Sequence, residues 1–226
     1  MRVVHVVCLD GVPSFEINEP LLDRACLVLS RIGDYTSDLR PEESRALGEV
    51  SNVRSHQFSS GRRAAHEAVH QLQIQDSAIG RTERIPRWPA GVLGSISHSD
   101  SLAGAAVGLA DTYLGMGIDL VPISAVSDKV AQRLLLDPEL KWVGEMGSGD
   151  WRTALFSAKE SVYKAVNPVV GEYLGFQDVK VNVVPDALEF FAATIANRES
   201  SEIVAGGHGF IHRVEGHWLT IFVVRK

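Results

Sequence analysis

Cysteine is nearly missing from this chain. Its 226 residues hold only Cys8 and Cys26, without metal-ligand spacing, so neither a disulfide framework nor a cysteine zinc site is expected and both thiols read as reduced core groups. Long apolar runs are missing too. No stretch approaches the roughly 18 residues of a membrane-spanning helix, so no membrane partner is expected and the cytoplasm is the default location. The run Arg2-Val3-Val4-His5-Val6-Val7-Cys8-Leu9 is short and leads into Asp10 rather than a cleavage site, so it is expected to be a first strand and not a signal peptide. Positive charge is in deficit as well. Lys and Arg number 22 against 28 acids, for a net charge of −6, which argues against a nucleic-acid partner and requires any cationic site to be local. The 45% hydrophobic content suffices for one large domain or two small ones.

Four segments carry the chemistry. Leu155, Ala158, Val162, Ala165 and Val166 recur at helical spacing, with Glu160 and Lys164 four apart on one flank, Lys159 beside them, and Pro168 expected to stop the helix. A glutamate one turn from a lysine suits a metal-bound pyrophosphate, the acid on Mg²⁺ and the ammonium on phosphate oxygens. The same pair also suits an ordinary i,i+4 ion pair on a solvated face. Leu114 to Pro122 reads as a strand ending in the acid Asp119, and Trp88 to Ser99 as a Pro/Gly turn feeding a strand that ends at Ser97 and His98. Arg54 and Arg62 lie about two helical turns apart, a spacing at which guanidinium groups can clamp one phosphate. His66 and His70 are four apart but lack an evident third ligand, which favours solvated or core histidines over a metal site.

In this order the segments resemble the large, Sfp-type 4′-phosphopantetheinyl transferases, and most closely the enterobactin synthetase component D-like branch. The resemblance spans roughly residues 40 to 180. It rests on Arg54 and Gly61-Arg62, on Trp88-Pro89-x-Gly91-x-x-Gly94-Ser95-Ile96-Ser97-His98, on Gly117-Ile118-Asp119, and on Phe156-x-Ala158-Lys159-Glu160-Ser161-x-Tyr163-Lys164-Ala165. It implies transfer of 4′-phosphopantetheine from coenzyme A to a serine of an acyl, peptidyl or polyketide carrier protein, with Mg²⁺ or else Mn²⁺, leaving 3′,5′-ADP. It also implies metal-binding roles for Asp119 and Glu160 and phosphate contacts for Lys159, Lys164, Ser97 and His98. Arg54 and Arg62 match arginines at the nucleotide 3′-phosphate, and Arg81 is a further candidate there. Glu160, directly or through a metal-bound water, is the candidate general base, with Lys164 sharing the catalytic work. Many members carry a third acid where this chain has Val121, which bears on metal affinity more than on the reaction. A coenzyme A or nucleotide-binding module that has lost turnover is the alternative.

Runs of strands with helices grouped beside them point to an α+β fold. The family is built as a pseudo-twofold pair of subdomains, which implies an N-terminal part over 1–113, a C-terminal part over 114–226 and an active cleft between them. A monomer is expected. Helices are expected around Glu42 to Val50, near 61–73, near 128–135 and over 151–166. Strands are expected over the opening run, near 94–98, 102–109, 114–120, 177–184 and 189–196, and in a C-terminal hairpin over 209–214 and 217–224.

Overall fold

The structure is a computed structural model that describes residues 5–17, 19–148 and 150–226. Residues 2–4 of the expected opening strand lie outside that set. The chain divides into two units, Met1–Leu114 with Lys226, and Gly115–Arg225. In the first, strands β1 (His5–Cys8), β2 (Ala25–Arg31), β5 (Val92–His98) and β6 (Leu102–Leu109) form a sheet in the order β1-β2-β6-β5. β1 and β2 are parallel and the other pairs antiparallel. β3 (Gly80–Thr82) and β4 (Ile85–Arg87) make a separate hairpin. Helix α1 (Pro41–Leu47) precedes α2 (Asn52–Gln71), which starts earlier than the apolar pattern indicates because Ser51 caps it, its hydroxyl accepting from the Arg54 amide at 3.4 Å. Small side chains let α2 lie close to the sheet: Ala64, Ala65, Ala68 and Val69 pack on Cys26, Val28, Ala105 and Val107. β2 adds to the expected strands, its Cys26-Leu27-Val28-Leu29 being the unbroken apolar run of a strand buried on both faces.

The second unit takes in most of β7 (Tyr113–Pro122), then α3 (Asp128–Leu134), α4 (Asp137–Glu145), α5 (Asp150–Val170), β8 (Val179–Val184), β9 (Glu189–Thr194), α6 (Ser201–Ala205), β10 (Gly207–Val214) and β11 (His217–Arg225). Its sheet runs β7-β11-β10-β9-β8. The fold is α+β, as expected, with α4 and α6 unanticipated. Two boundaries need correction. Pro168 does not stop α5, since a proline forfeits one amide hydrogen bond; the helix ends at Gly171, whose φ of +71° suits glycine and whose amide donates to the Asn167 carbonyl at 2.8 Å. Asp119 is not the end of its strand either. β7 continues to Pro122, a residue tolerated there because β7 is an edge strand.

Residues 115, 117 and 119 share one face of β7 because strand side chains alternate. A methyl group on Gly115 would lie 2.4 Å from the Ala165 carbonyl oxygen, and one on Gly117 would lie 1.9 Å from that of Ser161 and 2.7 Å from the Ala165 amide. The backbone of α5 therefore rests directly on β7, and the next residue on that face is Asp119. Gly117→Ala is expected to cost at least ~2 kcal/mol by overpacking against main chain that cannot rotate away, a drop in Tm of ~4 °C or more for a chain of this size. Gly144→Ala, on exposed α4 with nothing near the added methyl, should instead raise stability by up to ~1 kcal/mol. Thermal unfolding of the two variants checks both directions.

Candidate active site

The contact between β7 and α5 brings the acid of one element to the polar flank of the other. Asp119 is buried, and both its carboxylate oxygens have partners: Lys164 Nζ donates to Oδ1 at 2.6 Å and Ser157 Oγ to Oδ2 at 2.9 Å. Lys164 Nζ also donates to the Ile118 carbonyl at 3.1 Å. The Thr220 hydroxyl lies 2.9 Å from Ser157 Oγ and steadies it. Glu160 is half-buried on the same helix. Burial pushes its carboxyl above the ordinary glutamate range and the Asp119 charge adds to that, while Lys164 pulls the other way. The result is two carboxylates in electrostatic contact, one held by a cation and a hydroxyl, the other inclined to take up a proton. Val121, the next residue on the Asp119 face of β7, adds no ligand, and the described residues contain no group of three His, Cys, Asp or Glu able to hold a metal.

Lys159 requires correction. Its ammonium is not presented to a phosphate: it pairs with Glu139 Oε2 at 2.7 Å, donates to the Phe176 carbonyl at 2.7 Å and leaves the side chain 2% exposed. Glu139 in turn accepts from the amides of Leu136 and Val181, both at 2.8 Å. Lys159 thus ties α5 to α4 and β8.

In the first unit the structure collects the predicted cations. Arg54 Nη1 lies 2.7 Å from His98 Nε2. A guanidinium has no acceptor, so in this contact the ring nitrogen accepts. Arg62 is buried, donating through Nε to the Ile79 carbonyl at 2.6 Å and through Nη2 to that of Gly80 at 3.3 Å. The Phe58 ring lies under both Arg62, at 4.3 Å from the centroid, and Arg81 on β3, at 5.9 Å. Burial lowers the Arg62 guanidinium to about 10; Glu43 opposes this, and repulsion from Arg81 and Arg54 adds to it. An anion among the three guanidinium groups would relieve this repulsion. Ser97 does not join His98. Neighbours in a strand face opposite sides, and Ser97 is buried where His98 is half-exposed.

Two contributors were not assigned a role from the sequence. Ser157, buried on α5, is a hydroxyl in line with Ser161 and Lys164, beside the apolar stripe of Ala158, Val162 and Ala165. Phe58 lies four residues before Arg62 on α2, the spacing at which helical side chains meet.

Comparison with known proteins accords with this geometry. Residues 42–108 match the 4′-phosphopantetheinyl transferase N-terminal domain, and residues 115–217 match the 4′-phosphopantetheinyl transferase superfamily. The chain is 33% identical over 190 residues to the 4′-phosphopantetheinyl transferase Svp of Streptomyces mobaraensis, covering 82% of this chain and 75% of that protein. It is 33% identical over 152 residues to the 4′-phosphopantetheinyl transferase Npt of Nocardia iowensis, covering 66% of this chain and 68% of that one. Enterobactin synthase component D of Salmonella typhimurium is 31% identical over 164 residues, 67% of either chain. With both units matched and relatives at this level, the chain belongs to the 4′-phosphopantetheinyl transferase superfamily.

Proposed function

We propose that this protein moves 4′-phosphopantetheine from coenzyme A to a serine hydroxyl of an acyl, peptidyl or polyketide carrier protein, with Mg²⁺ and release of 3′,5′-ADP. The observation that carries this reading is that Asp119 and Glu160, on closely packed elements, feel each other's charge while Lys164 bonds to the first and acts on the second. The residues fit a hard divalent ion. The donors are two carboxylates with no sulfur or ring nitrogen, Lys164 already places one positive charge on Asp119 Oδ1, and two protein ligands leave an octahedral ion room for substrate oxygens and water. Bound there, Mg²⁺, or Mn²⁺ in its place, would neutralise pyrophosphate charge.

The steps belong to the chain's own side chains. Glu160, with its raised proton affinity, takes the proton from the carrier serine as the serine oxygen bonds to the β-phosphorus of coenzyme A and the bridging P–O bond breaks. Lys164 stabilises the charge that develops on the phosphate oxygens, and Ser157 keeps Asp119 oriented through Oδ2. The 3′-phosphate of the nucleotide is assigned to Arg54 and Arg81, with the guanidinium edge of Arg62 behind them and His98 orienting Arg54.

Incubation with coenzyme A, Mg²⁺ and a panel of apo carrier proteins should give the mass gain of the phosphopantetheine arm on a carrier serine; no gain on any carrier at any metal concentration would refute transfer and leave a binding module. Glu160→Gln should keep coenzyme A binding and lose at least ~10²-fold in kcat, the scale of a lost general base. A base works when deprotonated, so wild-type kcat should fall as pH drops through a pKa above the ordinary glutamate value of about 4.3.

The two lysines separate by readout. Lys159→Met strands Glu139 in the interior and should cost ~3 kcal/mol or more, a fall in Tm of ~6 °C or more. Lys164→Met, at a partly exposed ammonium, should leave Tm within a few degrees and lower kcat at least ~10-fold. Equal Tm losses would reverse the assignment of structural and catalytic lysine.

Arg54→Ala should raise KM for coenzyme A with a smaller change in kcat. Dephospho-coenzyme A, lacking the 3′-phosphate, should show the same penalty with wild type and little more with the variant. Simple addition of the two losses would mean that Arg54 does not read that phosphate.

A further inference from the structure

Arg198 lies well outside the segments that carry the site, on the connection between β9 and α6, yet its guanidinium reaches both ends of the loop that follows α5. Nη1 donates to Glu172 Oε1 at 3.1 Å and Nη2 to Asp178 Oδ1 at 2.6 Å. The Ser200 amide adds a bond to Glu172 Oε2 at 3.1 Å. Hydrogen bonding from Ser200 holds the Glu172 carboxyl below its ordinary range against the effect of burial, and Arg198 adds a smaller pull in the same direction as Ser200. The loop between these acids contains Gly175, and Gly171 precedes it, so its backbone has little intrinsic preference for one path.

What the loop carries lies on either side of Glu160. Phe156, Glu160 and Tyr163 share a flank of α5, at i, i+4 and i+7. Phe176 stacks on Phe156 with centroids 5.4 Å apart, Tyr173 meets Tyr163 edge-on at 5.9 Å, and the Phe176 carbonyl receives the Lys159 ammonium. Tyr173 is otherwise 73% exposed, so its ring alone does little to fasten the loop. One planar guanidinium that bridges residues 172 and 178 closes the loop in a single geometry, which a lysine ammonium cannot reproduce at two separate carboxylates.

We infer that Arg198 is a positioning residue for the transfer reaction: by clamping Glu172 and Asp178 it fixes the aromatic loop along the Glu160 flank of α5. This role rests on the transfer reading given above, whereas the clamp itself does not. In Arg198→Met, amide hydrogen exchange should accelerate at least ~10-fold within residues 172–178 while α2 and the first half of α5 keep wild-type rates. The kcat for carrier modification at saturating coenzyme A should fall at least ~10-fold at a temperature well below Tm. Arg198→Lys should recover little, and Glu172→Gln with Asp178→Asn should reproduce the loss, with Arg198→Met adding nothing to it. Unchanged exchange in 172–178 would overturn the clamp. Faster loop exchange with unchanged kcat would overturn the positioning role, as would a loss of kcat that merely follows accelerated exchange throughout the second unit. A wild-type protein without transfer would defeat the transfer reading and the positioning role with it, and exchange would still decide the clamp.

Discussion

The approach of α5 to β7 is the constraint on which the second unit's chemistry depends. Two main chains meet there with no side chain between them, which only glycine at 115 and 117 permits. From that contact the rest follows by periodicity. The next inward residue of the strand is Asp119, and the helix residues that meet it are Ser157 and Lys164, which hold its two oxygens. The site therefore owes its geometry to packing that has no chemistry of its own.

Each unit also contains a buried glutamate in the same structural role. Glu43 is the third residue of α1, Glu139 the third of α4, and a proline opens both helices within their first two positions. Each carboxylate accepts the amide that precedes its helix, Arg40 at 3.0 Å and Leu136 at 2.8 Å. Each accepts a second amide from a strand or its approach, Ile79 at 2.7 Å and Val181 at 2.8 Å. Each meets a basic residue of its unit's long helix, His66 at 2.7 Å and Lys159 at 2.7 Å. The buried Lys159–Glu139 pair adds little net stability over an apolar replacement. Its effect is directional, since it fixes where the short helix, the strand and the long helix meet.

The periodic segments were legible in the sequence. The helices α2 and α5, the strands β5 to β11 and the α+β class follow from apolar spacing, which burial enforces. The short α4 and α6 were not, because 9 and 5 residues span too few turns for an apolar period to stand out. For the site, Glu160 and Lys164 share a flank of α5 and Arg54 and Arg62 lie along α2, as their spacing suggested; no spacing could show that Asp119 lies beside the first pair, or Arg81 and His98 beside the second. Lys159 misleads because a motif specifies residue types and not directions. A lysine next to Glu160 looks available until Glu139, some twenty residues earlier, is placed beside it, and no local pattern reveals that pairing.

The rotation of α5 about its axis explains why neighbours in one motif have opposite fates. Successive residues of a helix point about 100° apart, so residues 159 and 161 diverge by about 160° on the side away from residue 160. Both are buried, Lys159 engaged with Glu139 and Phe176, and Ser161 lying with its carbonyl against Gly117. Pinning the helix at these two directions leaves Glu160 no choice but the half-open flank between Phe156 and Tyr163. Lys159 thus helps to aim Glu160, and the polar character of the Lys159–Glu139 pair sharpens that aim: an apolar side chain in its place would be satisfied by many rotations, whereas an ammonium needs its carboxylate and its carbonyl.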